Sequence, residues 1–302
     1  MSSPQFRTEF DPRHGEAVEL APGIRRIVCD NGGPFTFHGT NTYLIGEGSL
    51  AVLDPGPVDD NHFRAITAAI GSAAVSHILV SHTHMDHSPL AERLQQETGA
   101  ATFAFGPHRA ARDLHLGELN PLDASADTSF VPDHALRHGE QIEGEDWQLT
   151  ALHTPGHTAN HMAFAMDGTD YLFSADQVMG WATSIVAPPD GNMRDYMASL
   201  DILLDQPQQT YFPGHGGRID QAHKFVRALR AHRKMREQAV LDQVRKGRQT
   251  IPDMVAVIYR STDPRLHGAA GLSVLAHLED LVRCGKVTAD GDVLLDSRYF
   301  PV

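Results

Sequence analysis

The feature that most constrains this sequence is the segment of residues 82–87, which reads His-Thr-His-Met-Asp-His. It directly follows the apolar run 77–81, which predicts a short buried strand. Ser88 and Pro89 suit the start of a helix, and residues 90–94 have a helical pattern. The segment is therefore predicted to be a turn between a strand and a helix, where side chains are exposed to a ligand but rigidly held.

Four side chains in this turn are of types that bind metal ions. In an extended segment alternate side chains share a face, so His82 and His84 can bind one ion together. Asp86 and His87 lie past the bend and can point toward a second ion. The alternative is an ordinary polar surface turn, but four ligand types at this spacing favour a metal site.

Three later strands also end in ligand-type residues. His157 and His215 each follow a Pro-Gly turn after an apolar strand pattern, and Asp176 ends the run that begins at Tyr171. Side chains at strand ends of a rigid sheet are where catalytic groups tend to gather. Asp54 ends another strand and is predicted either to orient a ligand histidine or to cap a turn. His161 is predicted to be a supporting or substrate-contacting group, or simply a strand-face histidine.

Composition indicates a soluble chain with a sizeable core. The 302 residues are 41% hydrophobic, no apolar run approaches the ~20 residues of a membrane span, and no secretory signal precedes the first strand. Cys29 and Cys284 are the only cysteines, which predicts reduced thiols and a cytoplasmic protein that does not bind membranes. The net charge is −13, but residues 218–302 hold 15 Lys+Arg against 10 Asp+Glu.

The C-terminal region has a pattern of its own. Helices are predicted over 218–247, 252–259 and 269–284, followed by a hairpin over 285–295 around Asp290-Gly291. This order predicts a winged-helix-like domain over residues 218–302 behind a catalytic domain of residues 1–217. Its basic excess is modest, so packing or dimerisation suits its last helix as well as nucleic-acid binding does.

The motifs HTHMDH, TPGHT, SAD and PGHG together resemble the metallo-β-lactamase-fold hydrolase superfamily. Within it, the segments Gly39–Leu44 and Asp195–Leu200 and the winged-helix-like tail resemble the β-lactamase-like protein 2 family. The resemblance implies a mixed α/β (α+β) fold, an αββα sandwich with the metal ions at one edge of its two sheets. Tyr196 lies in a matching segment and is expected either to face the substrate or to be a core tyrosine.

The resemblance also implies a ligand set for two zinc ions, with manganese or iron as alternatives. One ion would be held by three histidines and the second by an aspartate and two histidines, with Asp176 between them. Asp86 or Asp176 would also pass a proton to the leaving group. Relatives that hydrolyse β-lactams carry cysteine in place of Asp176, and the di-iron redox branch carries glutamate in place of His84, so the pattern favours other hydrolytic chemistry. The implied ligands are His82, His84 and His157 for the first ion, and Asp86, His87 and His215 for the second.

Three functions remain open from the sequence, and the resemblance to the β-lactamase-like protein 2 family favours the first of them. The first is hydrolysis of phosphodiesters such as single-stranded RNA by hydroxide generated at the metal centre, with the basic tail contacting the nucleic acid. The second is thioester hydrolysis, as in the glyoxalase II and acyl-thioesterase branches. The third is a non-catalytic nucleic-acid-binding protein, which the complete ligand set disfavours. A homo-oligomer remains open, and the natural substrate, an RNA or a small molecule, cannot be read from the sequence.

Overall fold

The seven strands of the first sheet follow one another along the chain and in space. The structure is a computed structural model, and it describes residues 4–116, 118, 120 and 123–302. Strands β1 to β7 form this sheet in sequence order. Neighbours from β1 to β4 pair antiparallel, and neighbours from β4 to β7 pair parallel. They are β1 (Val18–Ala21), β2 (Ile24–Val28), β3 (Asn41–Ile45), β4 (Ser49–Leu53), β5 (Ala74–Leu79), β6 (Ala101–Ala104) and β7 (His134–Ala135).

The second sheet has five strands in the order β12-β11-β10-β9-β8. Only its β11–β12 pair is parallel, because α3 (Met193–Leu204) lies between these two strands in the chain. The strands are β8 (Gln141–Glu143), β9 (Gln148–His153), β10 (Met162–Met166), β11 (Tyr171–Ala175) and β12 (Thr210–Pro213).

The layers form an αββα sandwich, which confirms the expected fold. Tyr43, Phe164 and Phe173 are buried between the two sheets. Helices α1 (Asp60–Ile70) and α2 (Leu90–Thr98) cover the outer face of the first sheet. Helix α3 and the first half of α4 (Ala222–Arg245) cover the outer face of the second.

Local sequence explains where these helices begin. The Asp59 side chain accepts a hydrogen bond from the His62 amide at the start of α1, and Asn192 caps α3 in the same way. Helix α2 differs from the prediction, because it begins at Leu90. Pro89 occupies the N-cap position, and no side chain caps the helix. The Ser88 hydroxyl does not cap it and instead donates to Asp127, at 2.6 Å.

The two sheets are joined directly at one edge of the sandwich. The Asn41 side chain donates to the carbonyl of Pro213 at 2.8 Å, and the backbone amide of Asn41 donates to the carbonyl of Gly214 at 2.8 Å. The Tyr43 hydroxyl also donates to Pro213, at 2.6 Å. These bonds fix the end of β3 against the end of β12, and this is the edge at which the predicted ligands lie.

The C-terminal region shares α4 with the sandwich. Val226 and Leu229 of α4 pack on the second sheet, whereas Val240 and Val244 pack with α5 (Ile251–Ile258) and α6 (His267–Arg283). Helix α4 therefore belongs to both cores, and the domain boundary between residues 217 and 218 stays a prediction.

The predicted hairpin around Asp290-Gly291 is wrong in its second strand. Strand β13 (Val287–Ala289) pairs with β14 (Tyr299–Pro301), so a nine-residue connection replaces the tight turn. The Asp290 amide and side chain bond to Arg298 across the base of this connection. None of the helices in the described part of the chain has the length and apolar character of a membrane span.

Candidate metal centre

Three histidines converge at the edge where the sheets are joined, and we call their cluster the three-histidine pocket. The Nε2 atom of His82 lies 3.0 Å from Nδ1 of His84, and Nε2 of His157 lies 3.1 Å from the same atom. His82 and His84 come from the turn after β5, as predicted, and His157 from the loop after β9. All three nitrogen atoms lie close enough to bind one metal ion.

A second cluster, the carboxylate pocket, lies beside the first. Nε2 of His87 and Nε2 of His215 are each 3.3 Å from Oδ2 of Asp86. These three side chains also satisfy the geometry for binding one ion. The pocket combines a carboxylate with two imidazoles, a donor set that binds zinc, manganese or iron.

Asp176 lies between the two pockets. Its Oδ2 atom is 3.6 Å from Nε2 of His157 and 3.3 Å from Nε2 of His215. Its Oδ1 atom is 3.7 Å from Nε2 of His87. The structure thus brings together all seven predicted ligands, with Asp176 in the position of the implied bridge.

Backbone carbonyls orient two of the histidine rings from the side opposite their inward-facing nitrogen. Nδ1 of His157 donates to the Ile185 carbonyl at 2.7 Å, and Nδ1 of His215 donates to the Gly39 carbonyl at 3.1 Å. A carbonyl can only accept, so in a neutral ring Nε2 carries the free lone pair that a metal ion requires. Such outer partners fix the tautomer and the ring orientation of metal-binding histidines.

Burial and charge distinguish the two pockets. Burial lowers the pKa of His84 to about 3 and also lowers that of His157, so these rings are neutral at physiological pH. Burial opposes protonation of His215 as well, but the carboxylates of Asp176 and Asp86 raise its pKa to about 10. The carboxylate pocket therefore attracts positive charge, which a metal cation supplies as well as a proton does.

Unpaired polar atoms support a bound cation. Nε2 of His87 and Oδ1 of Asp176 are buried and have no hydrogen-bond partner among the described residues. Leaving such a group unsatisfied costs about 1–3 kcal/mol, and more for charged groups. A metal ion between these two atoms would satisfy both of them, so the residues fit the implied cofactor.

The backbone around the pockets is strained at two residues. Asp54 has a φ of 52° and Ala175, next to Asp176, has a φ of 42°, although neither is a glycine. Strain of this kind costs of order 1–3 kcal/mol per residue and gathers at functional sites. Gly214 provides space, because a Cβ there would lie 2.2 Å from Oδ1 of Asp176. This close approach explains the glycine in the Pro-Gly-His motif.

Asp54 and His161 support the ligands from behind. Oδ2 of Asp54 is 3.0 Å from Nδ1 of His87, and the same carboxylate accepts hydrogen bonds from the Ser81 amide and hydroxyl. The turn-capping alternative therefore does not describe it. His161 is fully buried, and its Nε2 accepts a 3.2 Å hydrogen bond from the Asp176 amide. It contacts a ligand backbone rather than a substrate.

Tyr196 does not face the site and is a core tyrosine, the second of its two expected placements. It lies in α3, is fully buried and packs in the core between α3, α4 and the second sheet. Its hydroxyl donates to the Gln177 carbonyl at 3.1 Å. Its role is to fix the residue that follows Asp176.

Two supporting residues were not found by sequence reasoning. The Thr40 hydroxyl donates to Oδ2 of Asp86 at 3.0 Å, and Thr40 itself is held by the Asn31 side chain. Ser81 lies between Asp54 and His82, with its hydroxyl 3.0 Å from Nδ1 of His82. Ser81 adjoins the motif, which was a usable signal, whereas nothing in the sequence relates Thr40 to Asp86.

Comparison with known proteins agrees with this geometry. The sequence profile of the metallo-beta-lactamase superfamily matches residues 35–215, and that of the beta-lactamase associated winged helix domain matches residues 250–297. A crystal structure of a metallo-beta-lactamase family protein from Thermus thermophilus superposes with a TM-score of 0.75 at 25% identity, covering 94% of this chain and 100% of that one.

Two curated relatives are similar over most of their length. A beta-lactamase-like protein 2 homolog from Drosophila melanogaster is 31% identical over 282 residues, which are 89% of this chain and 91% of the relative. An atrochrysone carboxyl ACP thioesterase from Claviceps purpurea (strain 20.1) is 28% identical over 262 residues, 84% of this chain and 77% of the relative. The chain therefore belongs to the metallo-β-lactamase superfamily and is a hydrolase of that family with an associated winged-helix domain.

Proposed function

We propose that the protein hydrolyses acyl thioesters at a centre that holds two zinc ions. The observation that carries the proposal is the convergence of seven ligand side chains into two adjoining pockets that share Asp176. Four of the donors are imidazoles whose partners leave a nitrogen lone pair directed inward. Imidazole with carboxylate suits zinc on ligand preference, with manganese and iron as competitors.

The protein's own residues would prepare the site for attack on a carbonyl carbon. Ions held there would supply hydroxide by lowering the pKa of water from 15.7 to about 7, and would polarise the carbonyl. The neutral rings of His82, His84 and His157 would add no charge of their own. Hydroxide would add to the thioester carbon, the carbon–sulfur bond would break, and the thiolate would leave with the electron pair.

Asp86 is the better placed of the two candidate proton carriers. Its side chain is 25% exposed, whereas that of Asp176 is 8% exposed. The 3.0 Å hydrogen bond from Thr40 fixes one oxygen of Asp86. The Asp86 carboxylate would take the proton that the attacking hydroxide carries and return it to the leaving sulfur.

Charge and packing favour a thioester over a nucleic acid. Residues 1–217, which include every candidate ligand, hold 28 Asp+Glu and 10 Lys+Arg. The last winged-helix helix, α6, buries nine residues against its neighbours, and its Arg283 is paired with Asp280 at 2.8 Å. That helix packs rather than offering a basic face to a nucleic-acid groove. The Claviceps relative is named for thioester hydrolysis, which supports the same choice.

One observation favours hydrolysis of single-stranded RNA as the second candidate. Lys224, Arg227 and Lys234 lie on the solvent face of α4, the helix that begins seven residues after His215. Exposed basic residues on one helix face can contact successive phosphates. Their number is small, so this candidate ranks second.

A paired turnover assay tests the proposal. Zinc-loaded protein would be given an acyl-coenzyme A or acyl-carrier-protein thioester in one arm and a fluorogenic single-stranded RNA in the other, each with a chelator. His84→Ala is the inactive control, and His138→Ala, which removes an exposed loop histidine, is the matched active control. Chelator-sensitive thioester turnover without RNA cleavage is expected. Salt-sensitive RNA cleavage without thioester turnover would replace the proposal with the second candidate.

A further inference from the structure

Helix α4 carries a buried arginine that reaches into the sandwich. Arg233 is 4% exposed, and its guanidinium donates a short hydrogen bond to the Ser184 carbonyl. It also lies over the Tyr196 ring, with 4.9 Å to the centroid, and donates to the Ser273 hydroxyl of α6 at 3.4 Å. No carboxylate forms an ion pair with it in the described part of the chain. A buried charge with only neutral partners is costly, so it needs a reason to be there.

The segment that Arg233 holds contacts His157 of the three-histidine pocket and the residue that follows Asp176. Ser184 is followed by Ile185, whose carbonyl orients His157 at 2.7 Å. The Ser184 hydroxyl donates to the Gln177 carbonyl at 3.0 Å, and Gln177 follows Asp176. One short stretch of backbone therefore positions a histidine of the three-histidine pocket and the residue beside the shared carboxylate.

Tyr196 also links Arg233 to Gln177. Its hydroxyl donates to the carbonyl of Gln177, and the guanidinium of Arg233 lies over its ring. Arg233 thus contacts two of the groups that hold the backbone between Asp176 and Ile185. None of these groups faces a substrate, so any effect on the site acts through position.

We propose that Arg233 is a positioning residue for His157 and Asp176, and that through it the C-terminal region is a working part of the metal centre. This inference rests on the proposed dinuclear site but not on the identity of the substrate. Fixing the Ser184–Ile185 backbone sets the direction of the His157 ring before an ion binds. Outer partners of metal ligands typically contribute 10–100-fold in metal affinity.

The chain offers a close control on the same helix. Arg236 donates to the Ile258 carbonyl at 3.1 Å and lies over the Tyr259 ring, 4.8 Å from its centroid. It therefore makes the same two kinds of contact as Arg233, but entirely within the C-terminal region. Replacing either arginine removes a carbonyl hydrogen bond and a ring contact, and only Arg233 is connected to the metal ligands.

The experiment compares metal binding by Arg233→Met and Arg236→Met. Zinc affinity would be measured by competition with a chromophoric chelator. The geometry of the metal centre would be compared through the visible absorption spectra of the cobalt-substituted proteins. Arg233→Met is expected to bind one equivalent about 10–100-fold more weakly and to show an altered cobalt spectrum, with Arg236→Met unchanged in both. Arg233→Lys keeps the charge and one donor, so its zinc affinity should lie between those of wild type and Arg233→Met.

Several results would overturn the inference. Wild-type affinity in Arg233→Met, or an equal loss in Arg236→Met, would show that Arg233 does not act on the centre. If Arg233→Met does not fold, Arg233→Lys decides, and wild-type affinity there would count against the proposal. Wild-type protein that binds fewer than two ions would instead refute the dinuclear site, and this inference with it.

Discussion

The three-histidine pocket and the carboxylate pocket lie side by side but would hold a cation by different means. In the first, burial keeps the rings of His84 and His157 neutral, so the ion would be attracted by their lone pairs and by the shared carboxylate of Asp176 alone. In the second, burial works against charge, yet the carboxylates of Asp86 and Asp176 raise the pKa of His215 to about 10. The ion in the three-histidine pocket would therefore keep most of its charge for activating water and substrate, while the ion in the carboxylate pocket would be largely neutralised.

The two pockets also differ in how they are supported. Outer partners of the carboxylate pocket come from the first sheet and its loops, through Asp54, Thr40 and the Gly39 carbonyl. In the three-histidine pocket the Ser81 hydroxyl supports His82 and the Ile185 carbonyl from a loop supports His157, but Nε2 of His84 is buried without a hydrogen-bond partner among the described residues. We therefore expect the three-histidine pocket to be the more easily weakened of the two.

The largest effect is expected from His84→Ala. Its Nδ1 atom is 3.0 Å from His82 and 3.1 Å from His157, so its loss removes the centre of the three-histidine pocket. Turnover should fall to the chelator background, while circular dichroism and the melting temperature of the metal-free protein stay near wild type. Retained turnover in this variant would contradict the dinuclear mechanism.

Asp176→Asn should have the next largest effect. The change keeps the size of the side chain but removes the charge shared by both pockets, so both ions would be held more weakly. We expect kcat to fall by about 100-fold or more, because loss of even an outer partner of a metal ligand typically costs 10–100-fold in metal affinity or activity. Steady-state kinetics on metal-loaded protein measures this. A loss confined to KM would show that Asp176 only binds substrate.

Asp54→Asn should weaken the carboxylate pocket more than the three-histidine pocket, because Asp54 contacts His87 directly but reaches His82 only through Ser81. The buried carboxylate accepts from Ser81 and lies 3.0 Å from Nδ1 of His87, and loss of such an outer partner typically costs 10–100-fold in metal affinity or activity. Chelator competition should show one equivalent weakened strongly and the other weakened less. Equal weakening of both equivalents would mean that the pockets do not act separately.

The smallest effect is expected from Thr40→Val. The variant keeps the shape of the side chain and removes one hydrogen bond to Asp86. A hydrogen bond to a charged group contributes about 1.5–3 kcal/mol, and solvent at the partly exposed Asp86 reduces this, so a loss of up to about tenfold in kcat is expected. Thr210→Val, which removes a hydroxyl that donates to Asp170 at 2.9 Å at the other end of β12, is the control. A change in that control of the same size would point to a general loss of stability.

The ligand set could be predicted from the sequence because each ligand occupies a short motif at a strand end. His82 to His87, His157 and His215 lie next to apolar strand patterns or Pro-Gly turns, which local physics makes recognisable. The αββα architecture followed from the resemblance that these motifs carry. Local pattern and tertiary structure agree at these positions, as expected where each level supports the same fold.

The supporting groups could not be predicted because they depend on long-range packing. The Ile185 and Gly39 carbonyls carry no side-chain signal, and Arg233 reaches the site from α4 only after the helix has packed. The sequence does not decide between the two placements of Tyr196 for the same reason, since it does not show which face of α3 is buried. Strain at Asp54 and Ala175 likewise comes from the assembled structure and not from their residue types.

The central claim is that two separate pockets each bind one ion, and native mass spectrometry of zinc-loaded protein tests it most directly. Wild type should carry two zinc ions per chain, and His84→Ala should carry one, held by the carboxylate pocket. His138→Ala should again carry two. A single ion in wild type, or two ions retained in His84→Ala, would contradict the account.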